Sequence, residues 1–210
     1  MHCHRNSEDI RDSSRSVLAA HGLSVPASLP TLDIVNLRPS GDILDRLFCL
    51  NAVAAASYGF EAAKALSWLH QEQLDEKLTL PERSFLEEGQ GDRDAFKVQV
   101  EGLWALAWAV NIVPEINFWR DCSSSFVNLL PNLKTGESAA RTKSQAALRA
   151  SDQIIAACDL SYCLHWIIRD ALIKDDPFPP DLKPYVVIER RRALEWMLSE
   201  GAWHMVSLDT

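Results

Sequence analysis

The longest helical pattern in the sequence spans residues 151–174, and it constrains the fold more than any other stretch. Its apolar residues recur mostly three or four positions apart, which places them on one face of an α-helix. They are Ile154, Ile155, Cys158, Leu164, Ile167, Ile168, Ala171 and Leu172. Ser151 is expected to cap the helix with its hydroxyl, and the prolines from Pro177 onward end it. We therefore predict a long helix with one face in the core of the domain.

The opposite face of this helix combines aromatic and charged side chains. They are Asp159, Tyr162, His165, Trp166, Arg169 and Asp170. A histidine near a carboxylate and a tyrosine can transfer protons, and an arginine can bind an anion. The candidate catalytic residues are therefore Asp159, Tyr162, His165 and Arg169.

Three charged residues on other predicted helices extend this candidate cluster. Glu101 lies on the most apolar helix, and Glu189 and Arg190 lie on the last one. Together with Trp166 and Asp170 they are the candidate ligand-binding residues. The same pattern is at least as typical of helices joined by structural ion pairs, because paired and perturbed groups mark function only in some cases.

The remaining patterns predict further helices and no strand pairs. We expect a single all-α domain of about eight helices over residues 15–210, preceded by a flexible segment at 1–14. Its centre is predicted to hold helices 152–174, 184–200 and 94–112.

Two of the predicted helices begin in the same way. Leucine, arginine, serine and isoleucine occupy positions 37, 38, 40 and 43, and again positions 148, 149, 151 and 154. Serine is a favourable N-cap residue, so Ser40 and Ser151 are both predicted to cap their helices. The match is too short to establish a repeat, but it suggests one device used twice.

Composition excludes several classes of protein. The 210 residues are 47% apolar and include seven tryptophans, enough for a substantial core. A net charge of −8 argues against nucleic acid as a partner. No apolar run reaches the length of a membrane span, and residues 1–16 lack the apolar core of a signal peptide. Five cysteines, an odd number in largely apolar settings, suit reduced thiols, so we expect a cytoplasmic protein.

The usual motifs of metal and cofactor sites are missing from the sequence. One turn from His165 stand Ser161 and Arg169, neither of which is a preferred metal ligand. The sequence contains no phosphate-binding loop, glycine-rich dinucleotide turn or serine-hydrolase elbow. We therefore predict neither a metal nor a cofactor.

Several motifs together resemble one known family. They are Leu37-Arg38 with Ser40 and Ile43, the run EGLWALAWAV, the helix DLSYCLHWIIRDA and the final VVIERRRALEW. This combination, from about Arg15 to Leu198, resembles the DUF4272 family, a bacterial domain of unknown function. The resemblance implies a shared fold and a bacterial origin, and it transfers no activity or catalytic residue.

Two function classes follow from the sequence. The first is a cytoplasmic interaction protein that binds an unknown protein partner, which the negative charge and the missing catalytic motifs favour. The second is an enzyme or small-ligand-binding protein that uses the His165, Arg169 and Glu189 cluster. A deep pocket that reaches His165 would favour the second class, whereas a closed ion network would favour the first. A homodimer is compatible with either class.

Overall fold

The computed structural model describes residues 6–32, 37–177 and 179–210, and these residues form helices and no strands. The α-helices are α1 (Ser7–Ala20), α2 (Ser40–Ser57), α3 (Ala62–Gln71), α4 (Leu80–Glu88), α5 (Arg93–Val98), α6 (Val100–Ala109), α7 (Ala140–Gln145), α8 (Ser151–Lys174) and α9 (Pro184–Met197). Short 3₁₀ helices cover Asp75–Lys77, Phe126–Leu129, Leu133–Thr135 and Trp203–Met205. Only Gln99 separates α5 from α6. If this pair is counted as one kinked helix, the described residues contain eight α-helices. The predicted all-α single domain is confirmed.

Three helices form the centre of the domain, as the sequence predicted. The last helix, α9, packs against both α6 and α8, while α1 lies on α8 and α2 on α6. The residues of α6 are the most apolar, and Leu103, Ala105 and Leu106 are almost fully buried. Apolar residues from all these helices form one continuous core. None of the helices in the described ranges is long and apolar enough to cross a bilayer.

Two central helices end earlier than predicted. The expected helix 94–112 is divided at Gln99 and ends at Ala109, and Asn111 then turns the chain with a φ of 59°. The expected helix 184–200 ends at Met197. The Arg38 amide donates a hydrogen bond to Met197 O, so a distant segment satisfies a carbonyl at the end of α9.

The predicted serine caps are wrong at both helices. Pro39 precedes α2 and Ala150 precedes α8, and neither helix has a side-chain cap. Ser40 and Ser151 are instead the first helical residues. By contrast, Thr79 and Glu82 form a complete capping box at the start of α4.

The first helix begins at Ser7, earlier than the domain start expected at residue 15. Arg11 and Ser14 of this helix are buried against the rest of the domain. Residues 7–14 therefore belong to the folded domain, because their polar side chains are partners of α8. Residues 1–5 of the expected flexible segment, which include Cys3, lie outside the described residues, as do residues 33–36 of the linker before α2.

The repeated start of α2 and α8 extends to the helices that they contact. Arg38 Nε donates to Trp196 O at 2.7 Å, and Arg149 Nε donates to Trp108 O at 2.6 Å. Each guanidinium also lies over the ring of the same tryptophan. The Arg149 amide bonds Ala109 O just as the Arg38 amide bonds Met197 O. Each arginine therefore closes the carboxyl end of one central helix.

The two closed helices share a sequence pattern as well. Glutamate, alanine, leucine and tryptophan occupy positions 101, 105, 106 and 108 of α6, and positions 189, 193, 194 and 196 of α9. The helices cross where Gly102 of α6 meets α9: a Cβ at Gly102 would lie 3.2 Å from Glu189 O and 3.4 Å from the Trp203 ring. Two of the central helices, α6 and α9, are thus similar in sequence. An arginine that precedes α8 bonds the carboxyl end of α6, and an arginine that precedes α2 bonds the carboxyl end of α9.

Candidate functional site

The polar residues predicted to form one cluster are divided among three groups, of which the first two meet at the Tyr162 ring. Asp159 lies between α1 and α8, His165 and Tyr162 lie between α8 and α9, and Glu101 and Arg190 lie between α6 and α9. The predicted junction of α6, α8 and α9 exists, but its charged residues are paired locally.

The first group surrounds the carboxylate of Asp159. Arg11 Nε donates to Asp159 Oδ2 at 3.1 Å and Arg11 Nη2 to Oδ1 at 2.8 Å. The Ser14 hydroxyl donates to Oδ2 at 2.6 Å. Arg11 also bonds the carbonyls of Leu29 and Pro30, so it joins the linker after α1 to the domain. Arg11 and Asp159 are both fully enclosed, which is typical of a structural ion pair.

The second group contains His165. Arg191 Nη1 donates to His165 Nδ1 at 2.6 Å, so the neutral ring carries its proton on Nε2. Burial, and then the positive charges of Arg191 and Arg169, lower the pKa of His165 to about 4. The Arg191 guanidinium lies over the Tyr162 ring and donates to Leu208 O and Asp209 O. His165 is therefore a neutral hydrogen-bond acceptor at pH 7.

The third group contains the two glutamates in equivalent positions of α6 and α9. Glu101 accepts from Arg190 Nε at 2.9 Å and from the Cys122 amide at 2.9 Å, and Arg190 also bonds the carbonyls of Asn117 and Arg120. Among the described residues, Glu189 forms an ion pair with Arg192 alone, at 3.2 Å, and burial raises the pKa of Glu189. Glu101 is thus fully hydrogen-bonded, whereas the negative charge of Glu189 is only partly compensated.

The remaining candidates lie nearer the surface. Arg169 is exposed. Asp170 forms an ion pair with Lys174, with 2.8 Å between Asp170 Oδ2 and Lys174 Nζ. Trp166 is half-buried and packs against the core. The structure does not bring these three residues together with Glu189.

A large open groove borders the third group, because Glu101 and Cys122 are among its lining residues. Its volume is about 1450 Å³, and its walls are the end of α2, the helices α5 and α6, and residues 121–134. Apolar residues line much of it, including Ala54, Ala55, Val98, Leu103 and Phe126. Tyr58 and Val127 line it as well, with 65% and 52% of their surfaces exposed. Large apolar residues exposed along a concave surface are typical of a binding site.

Part of the groove lining is polar and includes Asp121 and Tyr185. The Tyr185 hydroxyl donates to Asp121 Oδ1 at 2.6 Å, and Lys183 pairs with Asp121 Oδ2. Burial acts to raise the pKa of Asp121, but these two hydrogen bonds lower it below its usual value. Burial, and then the charge of Glu101, raise the pKa of the Cys122 thiol to about 12. Cys122 is therefore protonated at neutral pH, and a protonated thiol is a weak nucleophile.

No group of three or more potential metal ligands occurs within residues 6–32, 37–177 and 179–210. The four cysteines in these ranges, Cys49, Cys122, Cys158 and Cys163, are free thiols.

Comparison with known families gives one match. The model of the domain of unknown function DUF4272 covers residues 10–206. This chain belongs to the DUF4272 family. The resemblance that its motifs suggested is therefore confirmed, and the matched region spans all nine helices except the first residues of α1. Neither a curated protein nor a solved structure matches the chain.

Several residues that organise this DUF4272 protein were not predicted from its sequence. Arg11 and Arg191 complete the Asp159 and His165 groups, and Asp121 and Tyr185 line part of the groove. Arg191 follows Arg190 directly, so spacing along α9 could have suggested its direction toward α8. Asp121 lies in an irregular segment whose course no periodic pattern predicts.

Proposed function

We propose that this protein is an interaction protein that binds a helical segment of a partner protein in the groove between α2, α5, α6 and residues 121–134. The observation that carries the proposal is the contrast between this open apolar groove and the closed polar groups around His165. His165 is only 6% exposed, and its Nδ1 already accepts a hydrogen bond from Arg191. Asp159 and His165, two of the candidate catalytic residues, are both enclosed by protein partners, which supports binding over catalysis.

The dimensions of the groove suit a helix. A helix with its side chains is about 10 Å wide and rises about 1.5 Å per residue, so about 1450 Å³ accommodates roughly ten residues. A segment that binds by strand addition would instead need an unpaired sheet edge, and the described residues form no strand. A partner helix with an apolar stripe could place its anchors between Tyr58 and Val127.

The charged residues along the groove indicate which charged residues a partner helix should carry. Acidic residues along the groove already have cationic partners: Glu61 with Lys64, Asp94 with Lys97, and Glu137 with Arg141, at 2.6–2.8 Å. Lys134 also lines the groove and forms no ion pair with a described residue. The partner helix therefore needs little net charge, and one acidic residue on it would meet Lys134.

We extend the proposal to the setting of the protein. Free thiols at all four described cysteines support a reducing compartment, and we propose a bacterial cytoplasm. The net charge of −8 supports a protein partner over nucleic acid. The long groove does not require a second copy of the chain, so the homodimer stays an alternative occupant to be tested.

A peptide-display selection against the full chain tests the proposal, with binding of the selected peptides measured by fluorescence anisotropy. We expect helical peptides with apolar residues at positions i, i+3, i+4 and i+7 and an acidic residue. Val127→Asp should weaken them at least about tenfold, because a charge would enter the apolar contact. Lys134→Glu should weaken those with the acidic residue.

The matched control is Leu172→Asp. Leu172 of α8 is 60% exposed and does not line the groove, so this variant should bind like the wild type. The proposal fails if no peptide is selected, if the selected peptides are extended, or if Val127→Asp and Leu172→Asp have equal effects. Dimers that persist at micromolar concentration and exclude the peptides would assign the groove to a second copy.

A further inference from the structure

A second cavity lies away from the groove, where Arg38 closes the end of α9. Its volume is about 520 Å³. One side is formed by Arg38, which precedes α2, and by Asp42, Asp45 and Arg46 of α2. The other sides are Trp196 and residues 76–80 and 200–204. Cavities of this size accommodate small molecules rather than protein segments.

The floor of the cavity is an alternating series of guanidinium groups and indole rings. Arg38 lies 4.3 Å from the Trp196 ring centroid, and Arg46 lies 5.3 Å from that of Trp203. The two indoles meet edge to face with centroids 5.7 Å apart. Trp203 Nε1 donates to Gln99 Oε1, which holds this ring in place. The floor is therefore built from residues whose orientations are fixed by the fold.

Arg46 contributes a buried charge that its surroundings do not fully satisfy. Its Nη2 donates to Glu82 Oε1 at 2.6 Å, but its Nε has no acceptor although the side chain is only 5% exposed. A buried N–H without a hydrogen-bond partner is costly, so Arg46 is only partly satisfied by the described residues.

The other charges of the cavity fall into paired and unpaired groups. Lys77 pairs with Asp45 at 3.0 Å and with Asp42 at 3.7 Å, so these three are largely satisfied. Arg38 bonds the carbonyls of Trp196 and Gly201 and has no carboxylate ion pair within the described ranges. Glu76 and Glu200 also line the cavity, and neither forms an ion pair with a described residue.

From these charges we infer that the cavity binds a small zwitterion of the α-amino acid class. Its carboxylate lies toward Arg38, and its ammonium lies toward Glu200 and Glu76. A simple anion fits less well, because the lining has four carboxylates against three cationic side chains. A simple cation leaves Arg38 without an anionic partner, whereas Arg46 already has Glu82. A ligand with both charges matches Arg38 with its carboxylate and matches Glu76 and Glu200 with its ammonium.

The inference is tested with the full chain and the twenty common amino acids, each at about 10 mM, by thermal shift and then by calorimetry. Every amino acid that binds is compared with its deaminated carboxylic acid and with its amide, which each lack one charge. We expect at least one amino acid to raise the Tm and both single-charge analogues to fail.

The variant for this site is Glu200→Gln, which removes one exposed carboxylate and changes no described hydrogen bond. It should weaken amino-acid binding roughly fivefold to tenfold, because about 1 kcal/mol of attraction to the ammonium is lost. Glu88→Gln on α4 is the matched control, since Glu88 is exposed and does not line the cavity. Val127→Asp should also bind normally, which separates this cavity from the groove.

Three results would overturn the inference. Equal binding of the deaminated acid would make the cavity an anion site. No thermal shift with any amino acid would show that it is not a ligand site of this class. Equal effects of Glu200→Gln and Glu88→Gln would place the binding elsewhere.

Discussion

The two arginine junctions of this domain are built alike but lie in different surroundings. At α6, Arg149 bonds the carbonyls of Trp108, Val113 and Pro114 and forms no ion pair with an acidic group of the described residues. At α9, Arg38 bonds two carbonyls and lies within the electrostatic influence of Asp42 and Glu200. The first junction is closed by the chain, whereas the second opens into a cavity.

The difference shows how a repeated structural device becomes available for binding. After α6 the chain turns tightly through Val110 and Asn111, and its carbonyls fill the donors of Arg149. After α9 the chain continues to Trp203, which folds back beside Trp196 and leaves space above the two rings. Local sequence makes the junctions similar, and the course of the following segment decides which one is open.

The largest expected effect concerns the equivalent glutamates of α6 and α9. Glu101→Ala should destabilise the protein by about 3–5 kcal/mol, because Arg190 and the Cys122 amide lose their buried acceptor. Glu189→Ala should cost about 1 kcal/mol or less, since burial already penalises its charge. Urea denaturation measures both. Equal losses would show that the two halves are energetically alike, contrary to their different coordination.

The next comparison removes the arginine of each junction in turn. Arg149→Ala should cost about 3 kcal/mol and Arg38→Ala about 2 kcal/mol, because Arg149 makes one more charge-assisted hydrogen bond. Raising the salt concentration should reduce only the contribution of Arg38, which depends on Asp42 and Glu200. Urea denaturation at low and high salt checks both statements. A salt-dependent Arg149 contribution would contradict the distinction.

A third comparison uses pH, because only one of the two matching helices carries a titratable group at its fifteenth residue. This residue is Ala54 in α2 and His165 in α8. Folding lowers the pKa of His165 from 6.5 to about 4, so the unfolded chain binds the proton more readily. Stability from this group is complete above pH 6.5 and falls as the pH approaches 4.

The expected loss from His165 is about 2 kcal/mol between pH 7 and pH 4.5. The variant His165→Gln keeps an acceptor for Arg191 and should remove this part of the pH dependence, as measured by urea denaturation across the range. His70→Gln is the control, because the His70 side chain is 82% exposed. An unchanged pH profile in His165→Gln would refute the assignment.

The smallest effect concerns the crossing of α6 and α9. Gly102→Ala should cost about 1 kcal/mol, because the new methyl group would press on Glu189 O and Trp203. Gly41→Ala in α2 meets no atom within 4 Å, so it should be neutral or slightly stabilising. Differential scanning calorimetry of both variants measures the contrast. Equal effects would show that the crossing can widen without cost.

Much of the fold could be predicted from periodic patterns. The range of α8 was predicted to within one residue, and the start of α9 and the apolar α6 were also predicted, because amphipathic spacing and prolines act locally. The serine caps were wrong because Ser40 and Ser151 lie one residue inside their helices. The predicted end of α9 was wrong because the Arg38 amide, which is distant in sequence, donates a hydrogen bond to Met197 O at the end of this helix.

The candidate site was less predictable. Asp159, His165 and Glu101 were identified as unusual polar residues, and each does lie in a buried network. Their partners Arg11, Arg191 and Cys122 come from other helices or irregular segments, so spacing along one helix could not identify them. The sequence placed these residues in one cluster, whereas three separate helix interfaces hold them.

The sequence by itself determined the helical class, the central helices and the repeated motifs of this DUF4272 domain, because these depend on neighbours within a few turns. Only the tertiary structure decided which charges are paired, where the groove opens and which arginine junction borders a cavity. These features depend on contacts between residues far apart in the chain, such as Arg38 with Trp196 and Trp203 with Gln99. Local periodicity carries no information about such contacts.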